Sequence, residues 1–210
     1  MTERNTGGTA HMGSGYQVTE FAHKFIEEQV KPGDICIDAT AGNGNDTEFL
    51  CRLVGTTGRV YAFDIQKEAL EHTASRLREN GLDERATLLL CGHEYLKETI
   101  EKERKKQEEQ GGKEEISCVV FNFGYLPGGD HTLGTKAKTS VCAIEQGLKL
   151  LKKGGMMSLC IYSGGDTGFE ERDTILEYVR TLDSRKYLVI CSSWYNRENH
   201  PPIPVQIYKL

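Results

Sequence analysis

From Tyr16 onward, short β-branched or apolar runs alternate with longer amphipathic ones, the pattern of a parallel sheet whose strands are joined by crossover helices. Seven runs predict strands: Asp34–Ala39, Arg59–Ile65, Ala86–Cys91, Ser117–Phe123, Met156–Tyr162, Tyr187–Tyr195 and Val205–Lys209. Six predict helices: Val18–Val30, Asp46–Val54, Lys67–Asn80, Glu94–Gln110, Lys136–Leu151 and Phe169–Leu182. Each helix repeats apolar positions three and four apart, as Ala69, Leu70, Thr73 and Leu77 do. Punctuation supports these limits: Lys31-Pro32-Gly33 follows the first helix, Asn80-Gly81 the third and Lys152-Lys153-Gly154-Gly155 the fifth. No helix separates the last two strands, only the loop Asn196 to Pro204, so the final strand is expected to return antiparallel beside its neighbour. The expected fold is α/β, a three-layer, mostly parallel seven-stranded sheet with its last strand antiparallel.

Length and composition narrow this without changing it. The 210 residues and 23.5 kDa suit one domain, expected over residues 16–210 behind a flexible N-terminal leader at residues 1–15. That leader is rich in Gly, Thr and Ser and lacks the layout of a signal peptide, which points to the cytoplasm. With a mean hydropathy of −0.49 the chain offers no run near the roughly 18 apolar residues of a membrane-spanning helix. The seven cysteines form no C-x-x-C pair and fall mostly inside apolar runs, where the residue acts as a small hydrophobe. The six histidines show no H-x-x-x-H spacing, so no metal is expected. A net charge of −5 gives no overall pull toward nucleic acid, leaving any RNA to a local basic face.

The chemistry concentrates where the first strand ends, in Ile37-Asp38-Ala39-Thr40-Ala41-Gly42-Asn43-Gly44-Asn45-Asp46-Thr47. A Gly-x-Gly turn there opens a helix whose free N–H groups can face a ligand. The third glycine of a dinucleotide-binding loop is replaced by Thr47. An acid ahead of the turn and the polar Asn43 and Asn45 would repel a diphosphate but suit a ligand carrying an ammonium and a sulfonium, as S-adenosylmethionine does. Asp64, closing the second strand twenty residues after Gly44, can accept both hydroxyls of a ribose, and Ile65 and Gln66 reach the same edge. Gly92 and His93, after the third strand, are placed to bound an adenine ring.

A second group lies after the fourth strand, in Phe121-Asn122-Phe123-Gly124-Tyr125-Leu126-Pro127-Gly128-Gly129-Asp130, at the switch point where open α/β sheets bind ligands. Gly128 and Gly129 allow close backbone approach, and Asp130 or His131 could accept an amine's proton. The loop from Trp194 to Pro204 carries Asn199, Pro201 and Pro202; with Tyr162 it completes the rim and suits a base or ribose. The residues alone leave open an RNA methyltransferase, a small-molecule or protein N-methyltransferase, a nicotinamide-dependent oxidoreductase and a non-catalytic binding module. Thr47 and the N-x-x-Y spacing argue against the oxidoreductase.

The acid, the Gly-x-Gly turn, the carboxylate ending the second strand and the reversed last strand together resemble the Rossmann-like class I S-adenosylmethionine-dependent methyltransferases. Thr40 stands where that family's first loop glycine is usual. Asn122 and Tyr125 keep the spacing of the N-P-P-Y signature of amino-directed nucleic-acid methyltransferases, with both prolines replaced. The strings IDATAGNGNDTEFL, VYAFDIQ, FNFGYLPGGD and YNRENHPPIPVQIYKL resemble more closely the small bacterial family labelled rRNA methylases, whose characterised members methylate 5-aminomethyl-2-thiouridine at the tRNA wobble position.

That resemblance implies S-adenosylmethionine as cofactor, held by Asp38, Thr40, Gly42, Asn43, Gly44, Asn45, Asp46, Thr47, Asp64, Ile65, Gln66, Gly92, His93, Asn122 and Phe123. It implies catalytic roles for Asn122, Tyr125 and Asp130, and substrate contacts from Tyr125, Leu126, Gly128, Gly129, Tyr162, Asn199, Pro201 and Pro202. The partner it implies is the tRNA anticodon region, with no membrane, no metal and room for a homodimer. Lys136, Lys138, Lys149, Arg172 and Arg197 are the candidate phosphate contacts.

Overall fold

The computed structural model describes residues 17–108, 115–124, 135–163, 168–198 and 200–210. In chain order these form α1 (Val18–Gln29), β1 (Ile35–Asp38), α2 (Asn45–Val54), β2 (Arg59–Asp64), α3 (Lys67–Glu79), β3 (Ala86–Leu90), α4 (Leu96–Glu108), β4 (Ile116–Phe123), α5 (Ala137–Leu150), β5 (Leu151–Ile161), α6 (Gly168–Arg180), β6 (Tyr187–Cys191) and β7 (Ile203–Lys209). The strands make one sheet in the order β3-β2-β1-β4-β5-β7-β6. Pairing is parallel from β3 to β5, while β7 runs antiparallel to both β5 and β6. The reversed final strand expected from the sequence is therefore present, inserted between the fifth and sixth.

Strand β4 shows why the sheet carries two covered faces. Successive side chains of a strand point to opposite sides. Cys118 and Val120 pack with Ile26 of α1, Leu50 of α2 and Leu77 of α3, whereas Val119, Phe121 and Phe123 pack with Leu96, Ile144 and Ile175 on the α4–α5–α6 side. A strand buried on both faces reads as a nearly unbroken apolar run, and each such large side chain contributes roughly 1.5–3 kcal/mol on leaving water. The same alternation puts Asn122 on the face of Cys118 and Val120, toward α1 and α2.

Most boundaries, β7 from Ile203 and α6 to Arg180 among them, fall within two residues of expectation, and three differences are structurally informative. β5 starts at Leu151, directly after α5, rather than at Met156: Ile116 pairs with Leu151 and Cys118 already with Met156, so Lys152 to Gly155 form a bulge with Gly154 at φ +77°. The Lys-Lys-Gly-Gly signal marks that bulge instead of a loop. β6 ends at Cys191 rather than Tyr195: its register with β7 runs to Cys191 opposite Val205, followed by a bond from the Ser192 N–H to Pro204 O at 3.0 Å. The third is the start of the fourth helix, where a 3-10 turn at His93–Tyr95 precedes α4. The leader, residues 1–15, lies outside the described residues.

At the opposite edge of the sheet, Lys209 of β7 donates to the carbonyls of Leu148 at 2.9 Å and Leu151 at 2.6 Å, satisfying acceptors that the end of α5 leaves free. Among the described residues no helix is long and apolar enough to cross a membrane, and no group of His, Cys, Asp or Glu could hold a metal ion. The seven cysteines are free thiols.

Candidate functional site

The C-terminal ends of the five parallel strands bring together Asp38 and Thr40 after β1, Asp64 at the end of β2, His93 after β3, Asn122 on β4 and Tyr162 after β5. The loop between β1 and α2 is held on every side. The Ala41 N–H donates to Phe63 O at 2.8 Å and the Gly44 N–H to Ala41 O at 2.8 Å, closing a tight turn. Gly42 and Gly44 sit at φ +52° and +78°, and a Cβ on Gly44 would meet the Thr73 backbone at 2.9 Å. From α3, the Thr73 hydroxyl donates to Gly42 O at 3.2 Å and the Arg76 guanidinium to Asn43 O at 2.9 Å. Arg76 also bonds Glu48 of α2 at 3.0 Å, which ties both helices to the turn.

Asp64 serves the same loop with both oxygens. One accepts the Gly42 N–H at 2.9 Å, the other the Gln66 N–H at 2.8 Å. Each oxygen retains a lone pair, and beside it Ile65 is an apolar side chain exposed by 57%. Asn43 is half-buried and Asn45 exposed. Gly92 is buried at the start of the turn that carries His93.

Asp38 is fully buried. Its carboxylate accepts the Thr47 hydroxyl at 2.6 Å and the Thr40 N–H at 3.2 Å, which explains why a threonine can replace the third loop glycine. Burial, then the neighbouring Asp46 and Asp64 charges, push its pKa up to about 7, against the pull of those two hydrogen bonds. Because the folded pKa lies above the unfolded one, this group supports folding below about pH 4 and the support is lost as pH rises through about 7. Asp38→Asn is therefore expected to gain stability relative to the wild-type chain between pH 4 and pH 8, by on the order of 2–4 kcal/mol. Denaturant melts of both proteins at the two pH values measure this, and a gap that does not change with pH sinks it.

His93 is 9% exposed and stands edge-on to Phe121 and Phe123, with both centroids 6.1 Å away. Burial lowers its pKa, opposed by the Glu94 and Asp64 charges, and favours the neutral ring. Its Nε2 is buried and has no hydrogen-bond partner among the described residues. The same holds for Asn122 Oδ1. Asn122 is otherwise fully engaged: its backbone N–H donates to the Thr40 hydroxyl at 2.7 Å and its Nδ2 to Asp46 at 2.6 Å. The other Asp46 oxygen lies 2.7 Å from His23 Nε2 of α1.

Several of these supports escaped the sequence reading. Thr73, Arg76 and His23 come from helices distant along the chain, and no spacing rule links them to the loop. Glu171 of α6 is another; buried, it accepts from Ser140 at 2.5 Å and Thr135 at 2.8 Å. Thr135 in turn clasps Gly124 through both backbone groups, at 2.9 Å and 2.8 Å, joining the two ends of the loop after β4. Tyr125, Leu126, Gly128, Gly129, Asp130 and His131 within that loop, and Asn199, lie outside the described residues. Phe123 is buried, its carbonyl taken by the Tyr162 N–H at 3.0 Å, and burial raises the Tyr162 phenol above its ordinary range. Pro201 and Pro202 are half-buried near the start of β7.

Of the basic candidates, Lys136 and Lys138 are exposed at the start of α5, on the site's edge of the sheet, and Arg197 is exposed in the β6–β7 loop. Arg172 pairs with Asp173 at 2.7 Å and covers the Phe169 ring at 4.9 Å. Lys149 does not belong with them: it closes the last turn of α5, at the far edge of the sheet, and pairs with Glu145 at 2.8 Å.

A family model described as "Putative rRNA methylase" matches residues 60–208. The chain is 34% identical over 200 residues to the Arabidopsis thaliana protein named tRNA (mnm(5)s(2)U34)-methyltransferase, chloroplastic, covering 91% of this chain and 68% of that one. A crystal structure from Clostridium thermocellum with the same rRNA-methylase description superposes with a TM-score of 0.82 at 39% identity, covering 92% of this chain and 98% of that one. One from Streptococcus mutans, described as a "putative methyltransferase" in complex with SAH, superposes at 0.77 with 35% identity and the same coverage, 92% and 98%.

Proposed function

Because the chain belongs to the rRNA methylase family, and is with it an S-adenosylmethionine-dependent RNA methyltransferase, we propose that its substrate is tRNA and its reaction N-methylation of the wobble 5-aminomethyl-2-thiouridine to 5-methylaminomethyl-2-thiouridine. The observation that carries this is the 34% identity, over 91% of the chain, to the Arabidopsis tRNA enzyme.

The site fits the cofactor. Among the described residues Asp64 keeps a lone pair on each oxygen for a ribose diol and His93 a buried ring nitrogen without a partner for an adenine edge, while Asn43 and the Gly42–Gly44 turn offer polar groups for the amino-acid end. When bound, the cofactor supplies a methyl group already activated on a sulfonium. Chain residues then have to bind, orient and exclude water. Thr40 holds the Asn122 backbone, and Asn122 Oδ1 accepts an N–H of the acceptor amine, turning the nitrogen lone pair toward the donor. In this reading Tyr125 supports the uracil, Asp130 or water takes the proton, and Lys136, Lys138 and Arg197 meet phosphates.

Mass spectrometry of tRNA nucleosides from cells with and without the gene tests the assignment, together with methyl transfer by purified protein to tRNA from the deletion strain. Loss of the methylaminomethyl nucleoside and its restoration in vitro are expected. Unchanged tRNA with methyl loss from rRNA would move the substrate to the ribosome.

A further inference from the structure

The amide of Asn122 can face two ways, and only one of them presents an acceptor to an amine. Its Nδ2 lies 2.6 Å from one oxygen of Asp46, on the first turn of α2. An ionised carboxylate only accepts hydrogen bonds, so it selects the amide orientation that turns NH2 toward itself and Oδ1 away. Asp46 is 7% exposed and takes its second hydrogen bond from His23 Nε2 at 2.7 Å. The His23 ring is in turn stacked on Phe49 of α2, with centroids 3.7 Å apart and planes 6° from parallel. Every link of this chain, from α1 through α2 to β4, is thus fixed at both ends, and it terminates in the buried Asn122 Oδ1 that no described residue satisfies.

We propose that His23 and Asp46 are positioning residues for methyl transfer: through the His23–Asp46–Asn122 chain they lock the Asn122 amide with Oδ1 toward the acceptor amine. Neither residue needs to touch the reacting atoms. His23 works at one remove, since its bond to the outer oxygen at 2.7 Å holds the Asp46 carboxylate in place against Asn122. The inference rests on the reading of Asn122 as the amine's acceptor, but its central claim concerns an amide orientation that exists without substrate.

Three variants separate the donor role from packing. Asp46→Asn is isosteric and can meet the Asn122 amide in either orientation. His23→Phe keeps a ring over Phe49 but supplies no N–H, whereas His23→Gln supplies an N–H and loses the ring. Turnover on tRNA is expected to fall about 10-fold or more in Asp46→Asn and His23→Phe and to stay within about threefold in His23→Gln, with KM for tRNA and SAH affinity little changed in the two His23 variants. The second readout needs no activity: the Asn122 side-chain NH2 resonances, shifted and exchange-protected by the carboxylate, should lose both properties in Asp46→Asn and keep them in His23→Gln. Wild-type turnover in His23→Phe, or equal loss in His23→Phe and His23→Gln, overturns the proposal. If the wild-type chain methylates no tRNA, the functional reading falls instead, and the amide resonances still decide the positioning claim.

Discussion

Asn122→Ala is expected to lower turnover about 100-fold while changing SAH affinity by less than about threefold. The side chain stands at the switch point of the sheet with one polar atom fixed on Asp46 and the other without a partner among the described residues. Removing it takes away the group proposed to aim the acceptor nitrogen, and misplacement of a reacting atom by about 1 Å can by itself cost roughly 100-fold. The loop after β1, proposed to hold the cofactor, is braced by other contacts, from Asp64, Thr73 and Arg76, so binding should survive. The truncation also leaves a buried Asp46 oxygen without its donor, which costs about 1–3 kcal/mol in stability. Single-turnover methylation at saturating cofactor, calorimetry with SAH and a melt therefore belong together. Parallel losses of affinity and turnover would show that Asn122 is a structural prop for the cofactor loop.

The features legible in the sequence share one property: they are written in contiguous residues. The alternation of strand and helix, the Gly-x-Gly turn, Asp64 at a strand end and the helix-free connection before β7 each follow from local pattern, and the structure bears out each. What escaped depends on distance along the chain. His23 meets Asp46 across 23 residues, Arg76 meets the Asn43 carbonyl across 33 and Glu171 meets Thr135 across 36, each reaching from a helix to a residue distant along the chain. Lys209 supplied the reason that β5 can begin without a turn after α5, and it lies 58 residues from the Leu151 carbonyl it satisfies. The Lys-Lys-Gly-Gly string does follow the end of α5 as expected, but it lies inside β5 rather than before it, because glycine at positive φ serves a bulge within a strand as well as it follows a helix. Lys149 was grouped with the phosphate contacts on charge alone, and only the direction of α5 shows it on the wrong edge.

A heavy loss of cofactor affinity is expected from Asp64→Asn, which exchanges a single heavy atom. The wild-type carboxylate accepts the Gly42 and Gln66 N–H groups on separate oxygens, so it fixes the loop after β1 and the start of α3 at once. An amide has one acceptor oxygen, and its NH2 must then oppose one of those two backbone donors. A hydrogen bond to a charged acceptor contributes about 1.5–3 kcal/mol. Losing one such bond to the backbone, together with the acceptor sites left for a ribose diol, predicts a rise in the SAH dissociation constant of about 100-fold. Turnover at saturating cofactor should stay within about fivefold, because Asn122 on β4 and its partner Asp46 on α2 lie on different elements from Asp64 on β2. Asp64→Ala should weaken binding at least as much, since it leaves both N–H groups without a partner. Calorimetry on the folded variants is decisive here: an unchanged affinity for SAH in Asp64→Asn means that the ribose is held elsewhere and that Asp64 only braces the turn.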